Sequence, residues 1–174
     1  MKRFFAVAVF VFALFAGLVA WGAVLPGTQA VERSHVLAAA PDAVFAALDD
    51  LSTYAQWSRH VPEGAAVAVG ACCGEGASLA WEAAGRVGSV DVLQSAPPDV
   101  LVVAAQQSED ARVVTYALAD GPDGGSLVVA RDEADLGGFP FLGRVAARLG
   151  RGRLRAAMDA ELAALDRFTR PAAG

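Results

Sequence analysis

Lysine is nearly missing from this 174-residue sequence: Lys2 stands alone against thirteen arginines. Charged residues make up only 19% of the chain, and the net charge is −5. A nucleic-acid binder needs a basic footprint, so no nucleic-acid partner is expected. Histidine is scarce, with only His35 and His60, and the two cysteines, Cys72 and Cys73, are adjacent. Neighbouring Cα atoms lie about 3.8 Å apart, closer than the usual disulfide range, so the pair reads as loop thiols. A structural metal site on two thiolates needs two further ligands, and no metal is expected. There is no Gly-x-Ser-x-Gly elbow, no His-Glu-x-x-His, no phosphate loop and no Gly-x-Gly-x-x-Gly, so neither a catalytic residue nor a cofactor is assigned. Apolar residues reach 55% with a mean hydropathy of +0.42, and with so few charges disorder is not the first reading.

That apolar excess is uneven. Phe4 to Leu25 is a run of 22 residues without a charge. As a helix it would be about 33 Å long, enough to cross a bilayer core. Lys2 and Arg3 precede it, which places the N-terminus in the cytoplasm and the remainder outside. The rival reading is a signal peptide cleaved near Thr28-Gln29-Ala30 and a secreted product, but such apolar regions are usually shorter. The expected organisation is an anchor and short linker over 1–30, one domain over 31–170, and a tail over 171–174.

Charge is also divided. Residues 31–135 hold five arginines and sixteen acids, a net −11; residues 136–174 hold seven arginines and three acids, a net +4. Val31–Ala39 reads as a strand, and Pro41-Asp42 opens a helix with Val44, Phe45 and Leu48 on one face. Ser52–Trp57 reads as a short helix or turn. Strands are expected at Ala65–Val69, Ser78–Ala83, Arg86–Ser95, Val100–Gln107, Val113–Ala119 and Ser126–Asp132, separated by Gly, Pro and Asp turn residues. Short connections make neighbouring strands antiparallel. A short helix from Phe141, a bend at Gly150–Gly152 and a long amphipathic helix from Arg153 to Phe168 complete the pattern. The result is an α+β fold with about seven antiparallel strands and a long closing helix.

The residues Val31-Glu32-Arg33-Ser34, Ala39-Ala40-Pro41-Asp42-Ala43-Val44-Phe45, Leu48-Asp49-Asp50 and Tyr54-Ala55-Gln56-Trp57-Ser58 carry a family resemblance. Gly74-Glu75-Gly76-Ala77-Ser78-Leu79-Ala80-Trp81, Pro97-Pro98-Asp99-Val100-Leu101 and Leu162-Ala163-Ala164-Leu165 extend it. Over 31–170 the chain resembles the SRPBCC superfamily, the START-like, polyketide cyclase/dehydrase and lipid-transport group, in a layout similar to its membrane-anchored members. The resemblance implies a helix-grip fold, a curved antiparallel sheet around the C-terminal helix, here preceded by one transmembrane helix. The superfamily hosts carriers, enzymes and receptors, so fold alone does not assign the activity.

The small residues of the strands leave room for a hollow under the closing helix. Expected ligand contacts are Trp57 at its mouth, Trp81 and Tyr116 on strands, Phe139 and Phe141 as a hydrophobic lip, and Leu154, Met158 and Leu162 on the inner stripe of the helix. The leading expectation is a membrane-tethered, non-catalytic binding or transport domain for a hydrophobic small molecule or lipid. Two rivals stand beside it: a cyclase- or dehydratase-type enzyme with a group such as His35 or Tyr116 inside, and an envelope interaction module with a filled core and an exposed apolar patch. Arg144, Arg148, Arg151 and Arg155 recur at helical spacing, either as a solvated face or as a contact for anionic lipid headgroups.

Overall fold

The computed structural model describes residues 12–13, 16–17, 19–22, 24–25, 27–108, 110–136 and 142–170. The chain forms two compact units, Met1–Gln29 with Asp135–Gly152, and Ala30–Ala134 with Arg153–Gly174. Most of the 4–25 run, together with Phe139 and Phe141, lies outside the described residues. Among the described residues no helix is long and apolar enough to cross a membrane.

Seven strands form one sheet: β1 (Thr28–Leu37), β2 (Ala66–Val69), β3 (Ser78–Ala83), β4 (Arg86–Ala96), β5 (Val100–Gln107), β6 (Asp110–Asp120) and β7 (Ser126–Asp135). Their order is β1-β7-β6-β5-β4-β3-β2, and the pairs from β2 through β7 are antiparallel. Ala84 and Gly85 both hold positive φ between Ala83 and its partner Arg86, the two-residue turn whose twist suits a hairpin. The register shifts between Val92 and Gln94, a bulge that bends β4.

Helix α1 (Pro41–Asp49) starts on Pro41, whose missing N–H is no loss in a first turn. It buries Val44, Phe45 and Leu48. Helix α2 (Leu142–Thr169) is a single element through Gly150 and Gly152, where a short and a long helix were expected. Two glycines cost about 2 kcal/mol relative to alanine. The alanines, arginines and leucines on either side, in a 28-residue cooperative helix, outweigh that.

In the second unit the sheet presents Leu79, Trp81, Val90, Val92, Leu101, Val103, Val114, Tyr116, Val128 and Ala130 to the core. Strand alternation places them all on one face. Val44, Phe45, Leu48, Leu51, Tyr54 and Trp57 pack there too, as do Met158, Leu162 and Leu165 of α2. The arrangement is the helix-grip fold.

Candidate functional site

The segment after α1 aims a run of large and polar side chains inward. Asp50 Oδ1 accepts hydrogen bonds from the Ser52 amide (2.9 Å) and hydroxyl (2.6 Å), and the Tyr54 amide donates to the Leu51 carbonyl. A 3₁₀ turn at Tyr54–Gln56 follows, closed by the Ser58 amide on the Tyr54 carbonyl at 3.0 Å. This tight winding buries Tyr54, Trp57 and Ser58 together. The Trp57 ring meets Tyr54 edge-on at 4.7 Å and Tyr116 at 6.5 Å.

Beneath these rings lies a buried ionic network drawn from four places in the chain. Glu161 of α2 accepts from Ser58 Oγ at 2.9 Å, from Arg59 Nε at 2.9 Å and from the Tyr116 hydroxyl at 3.4 Å. Arg59 also donates through Nη2 to Asp132 on β7. Arg112 on β6 donates through Nη1 to the other oxygen of Asp132 at 3.1 Å. Asp132 is fully buried and Glu161 nearly so, whereas both arginines keep an exposed edge. Two carboxylates are thus neutralised by two guanidiniums, the condition under which buried charge is tolerated.

His60 Nε2 is buried, has no hydrogen-bond partner among the described residues, and lies 3.8 Å from Glu161 Oε1. Burial pulls its pKa below the ordinary value; the nearby Glu161 opposes that pull without overcoming it. The Tyr54 and Tyr116 phenols are pushed upward, first by burial and then by the Glu161 charge, so both stay protonated. The Tyr54 hydroxyl sits beside Ser58 and Tyr116 without a well-aligned bond to either.

Two openings flank Arg59. One is a cleft of about 570 Å³ between the 55–64 segment and α2, with Trp57, Val61, Ala157 and Ala160 on its sides and Ser58, Arg59 and Glu161 at its base. The other, of about 230 Å³, is bordered by Arg59, His60, Gln106, Gln107, Asp110 and Arg112. The larger cleft mixes apolar side chains with polar and charged ones, Gln56 and Glu63 among them.

Of the expected contacts, Trp57 borders this cleft and Tyr116 touches Glu161 beneath it. Met158 and Leu162 are buried core residues, and Leu154 packs partly exposed against them. Trp81 stands apart, beside a trough of about 360 Å³ formed with Val67, Val87 and Gly88 near the β2 edge. His35 lies near Asp159 and Asp166, away from the cleft lining. Glu161, Asp132, Arg59 and Arg112 were missed. A signal existed for two of them: Glu161 falls three residues after Met158 and four before Leu165, on the buried stripe, and Asp132 continues the inward alternation Val128, Ala130. Cys72 and Cys73 are free, exposed thiols, and among the described residues no cluster of ligating side chains could hold a metal ion.

Comparison with solved structures finds the same fold. A protein from Chromobacterium violaceum superposes with a TM-score of 0.58 at 19% identity, over 84% of this chain and 99% of that one. StfQ, a di-domain ARO/CYC from the steffimycin biosynthetic pathway, gives 0.61 at 14% identity, over 82% of this chain and 50% of that one. DynU16, from the dynemicin biosynthetic locus, gives 0.57 at 20%, over 80% and 46%. The chain therefore spans about half the length of these last two. A comparison with curated proteins finds no match. Residues 28–167 match the model of one family, and the chain belongs to it: polyketide cyclase / dehydrase and lipid transport, within the SRPBCC superfamily.

Proposed function

We propose that the domain binds a hydrophobic small molecule or lipid without transforming it, and that the apolar 4–25 segment tethers it to a membrane with the domain on the extracytoplasmic side. The supporting observation is the cleft between the 55–64 segment and α2. Trp57, Val61, Ala157 and Ala160 line it beside the polar Gln56 and Glu63, and Glu161 lies in it with both carboxylate oxygens engaged by Ser58, Tyr116 and Arg59. Apolar burial supplies the affinity, at about 25 cal/mol per Å² before the costs of association. The paired base receives a polar end group.

The test uses the full chain in lipid nanodiscs, titrated with cis-parinaric acid and read by tryptophan-to-probe energy transfer. Ala160 is exposed on the cleft side, so Ala160→Phe fills the space without touching the core. Saturable transfer in the parent, with the apparent affinity weakened at least tenfold by Ala160→Phe, supports the reading. Identical curves for parent and Ala160→Phe overturn it.

A second reading, a cyclase- or dehydratase-type enzyme, is favoured by one contact: the Tyr116 hydroxyl held 3.4 Å from Glu161. It requires a poly-β-ketone thioester to be consumed faster with the parent protein than with Tyr116→Phe.

A further inference from the structure

The unit made of Met1–Gln29 and Asp135–Gly152 carries chemistry that the cleft does not use. Three hydrogen bonds pin the stretch after the apolar run. Arg144 Nη1 donates to the Leu25 carbonyl at 3.2 Å, Gln29 Nε2 to the Ala147 carbonyl at 3.0 Å, and the Leu136 amide to the Gly27 carbonyl at 2.7 Å. On this seam Arg144, Arg148 and Arg151 converge. Their spacing of four and then three residues sets them on one helix face, and they border a small pocket shared with Leu25, Thr28 and Gln29.

Two features give the pocket a chemical preference. The Nε atoms of Arg144 and Arg151 are shut off from solvent and have no hydrogen-bond partner among the described residues. A guanidinium donor removed from water needs an acceptor, and oxyanions match its fork. The pocket volume, about 20 Å³, admits one oxygen-sized group with the rest of its molecule outside. The second feature is apolar. Phe12, Val24 and Leu149 of this unit are 73%, 85% and 74% exposed, and Trp21 is 47% exposed. Val24 and Leu149 are the chain neighbours of Leu25 and Arg148, and guanidiniums next to outward-facing apolar side chains suit the boundary between headgroups and acyl chains.

We propose that Arg144, Arg148 and Arg151 bind the phosphate of an anionic phospholipid headgroup where the apolar segment ends. The inference rests on the membrane tether proposed above. It goes further in assigning the site, the residues and the lipid class.

The experiment reconstitutes the full chain into vesicles holding phosphatidylcholine and phosphatidylglycerol in equal amounts, extracts it in mild detergent, and identifies retained lipid by native mass spectrometry. Phosphatidylglycerol enriched at least tenfold, with enrichment lost in the Arg144→Gln/Arg148→Gln/Arg151→Gln triple variant, supports the site. Arg148 is exposed, so Arg148→Gln alone keeps the test open should the triple variant misfold; a several-fold drop in enrichment is expected. Insertion without lipid preference overturns the headgroup site and leaves the tether standing. Failure to insert into any vesicle overturns the tether and this inference with it. Inorganic phosphate at about 10 mM stripping the bound lipid would make the pocket a free-anion site and overturn the lipid assignment.

Discussion

Arg59 Nε lies 2.9 Å from Glu161 Oε2, joining positions 102 residues apart in the sequence, and the same guanidinium reaches on to Asp132. One cation thus ties the 55–64 segment, helix α2 and strand β7 together and forms part of the cleft base. Removing a single partner from such a buried network strands the others.

Arg59→Leu is therefore expected to destabilise the protein by about 3–5 kcal/mol, the usual effect of leaving buried charge uncompensated. Chemical denaturation of parent and variant measures this. A loss below about 1 kcal/mol would mean that water reaches Glu161 and Asp132 when Arg59 is gone.

His60 gives the fold a pH dependence near neutrality. Burial holds its folded pKa below 6.5, so just under that pH the unfolded chain takes up a proton that the folded chain refuses. The stability due to neutral His60 is complete above about pH 6.5 and falls as the pH drops towards the folded pKa, by at most about 1.4 kcal/mol per pH unit. Thermal melts between pH 7.5 and 5 should show this slope, and His60→Gln should flatten it. An unchanged slope in the variant would assign the effect elsewhere.

Gly88 faces Trp81 across the β3–β4 pair, and a Cβ there would press into the indole and lie 2.5 Å from the Gln106 carbonyl oxygen. Because one of those atoms is backbone, Gly88→Ala is expected to cost about 1–3 kcal/mol. A denaturation midpoint equal to the parent's would show that β3 and β5 yield easily around Gly88.

Met158 distinguishes packing from ligand contact. It is 1% exposed, so Met158→Ala should cost about 2–5 kcal/mol while leaving probe affinity within about twofold. Loss of affinity in a fully folded Met158→Ala protein would extend the binding site into the core.

The exposed Cys73 thiol is pushed up to about 11, chiefly by the neighbouring Cys72 thiol. Its iodoacetamide alkylation should keep accelerating up to that pH, and Cys72→Ala should bring the midpoint down. A midpoint near 9 in the parent would show that the two thiols point apart.

Much of the fold was legible in local pattern. The Ala84-Gly85 turn, the alternation along β5 and β6 and the Pro41 helix start each reflect forces acting over a few residues, and their boundaries agree with the structure within about three. The closing helix reads in the sequence as two pieces joined at Gly150–Gly152 and is one 28-residue element in the structure, because a local glycine penalty is small against the cooperativity of the flanking turns. The candidate site was legible only in part. Trp57 and Tyr116 lie with ring centroids 6.5 Å apart, while Trp81 and Met158 are buried in the core; the apolar pattern in the sequence does not separate these two situations.

Periodicity reports which face a side chain takes, since that depends on backbone geometry alone, and so the strands, helix α1 and much of the inward set could be read directly. It is silent on which inward residue meets which. Arg59, Arg112, Asp132 and Glu161 come from four separate segments, and only the closing of α2 onto the sheet brought their charges within hydrogen-bond reach. The same holds for Arg144 on the Leu25 carbonyl: helical spacing put three arginines on one face, but the chain's return past residue 25 gave that face its pocket.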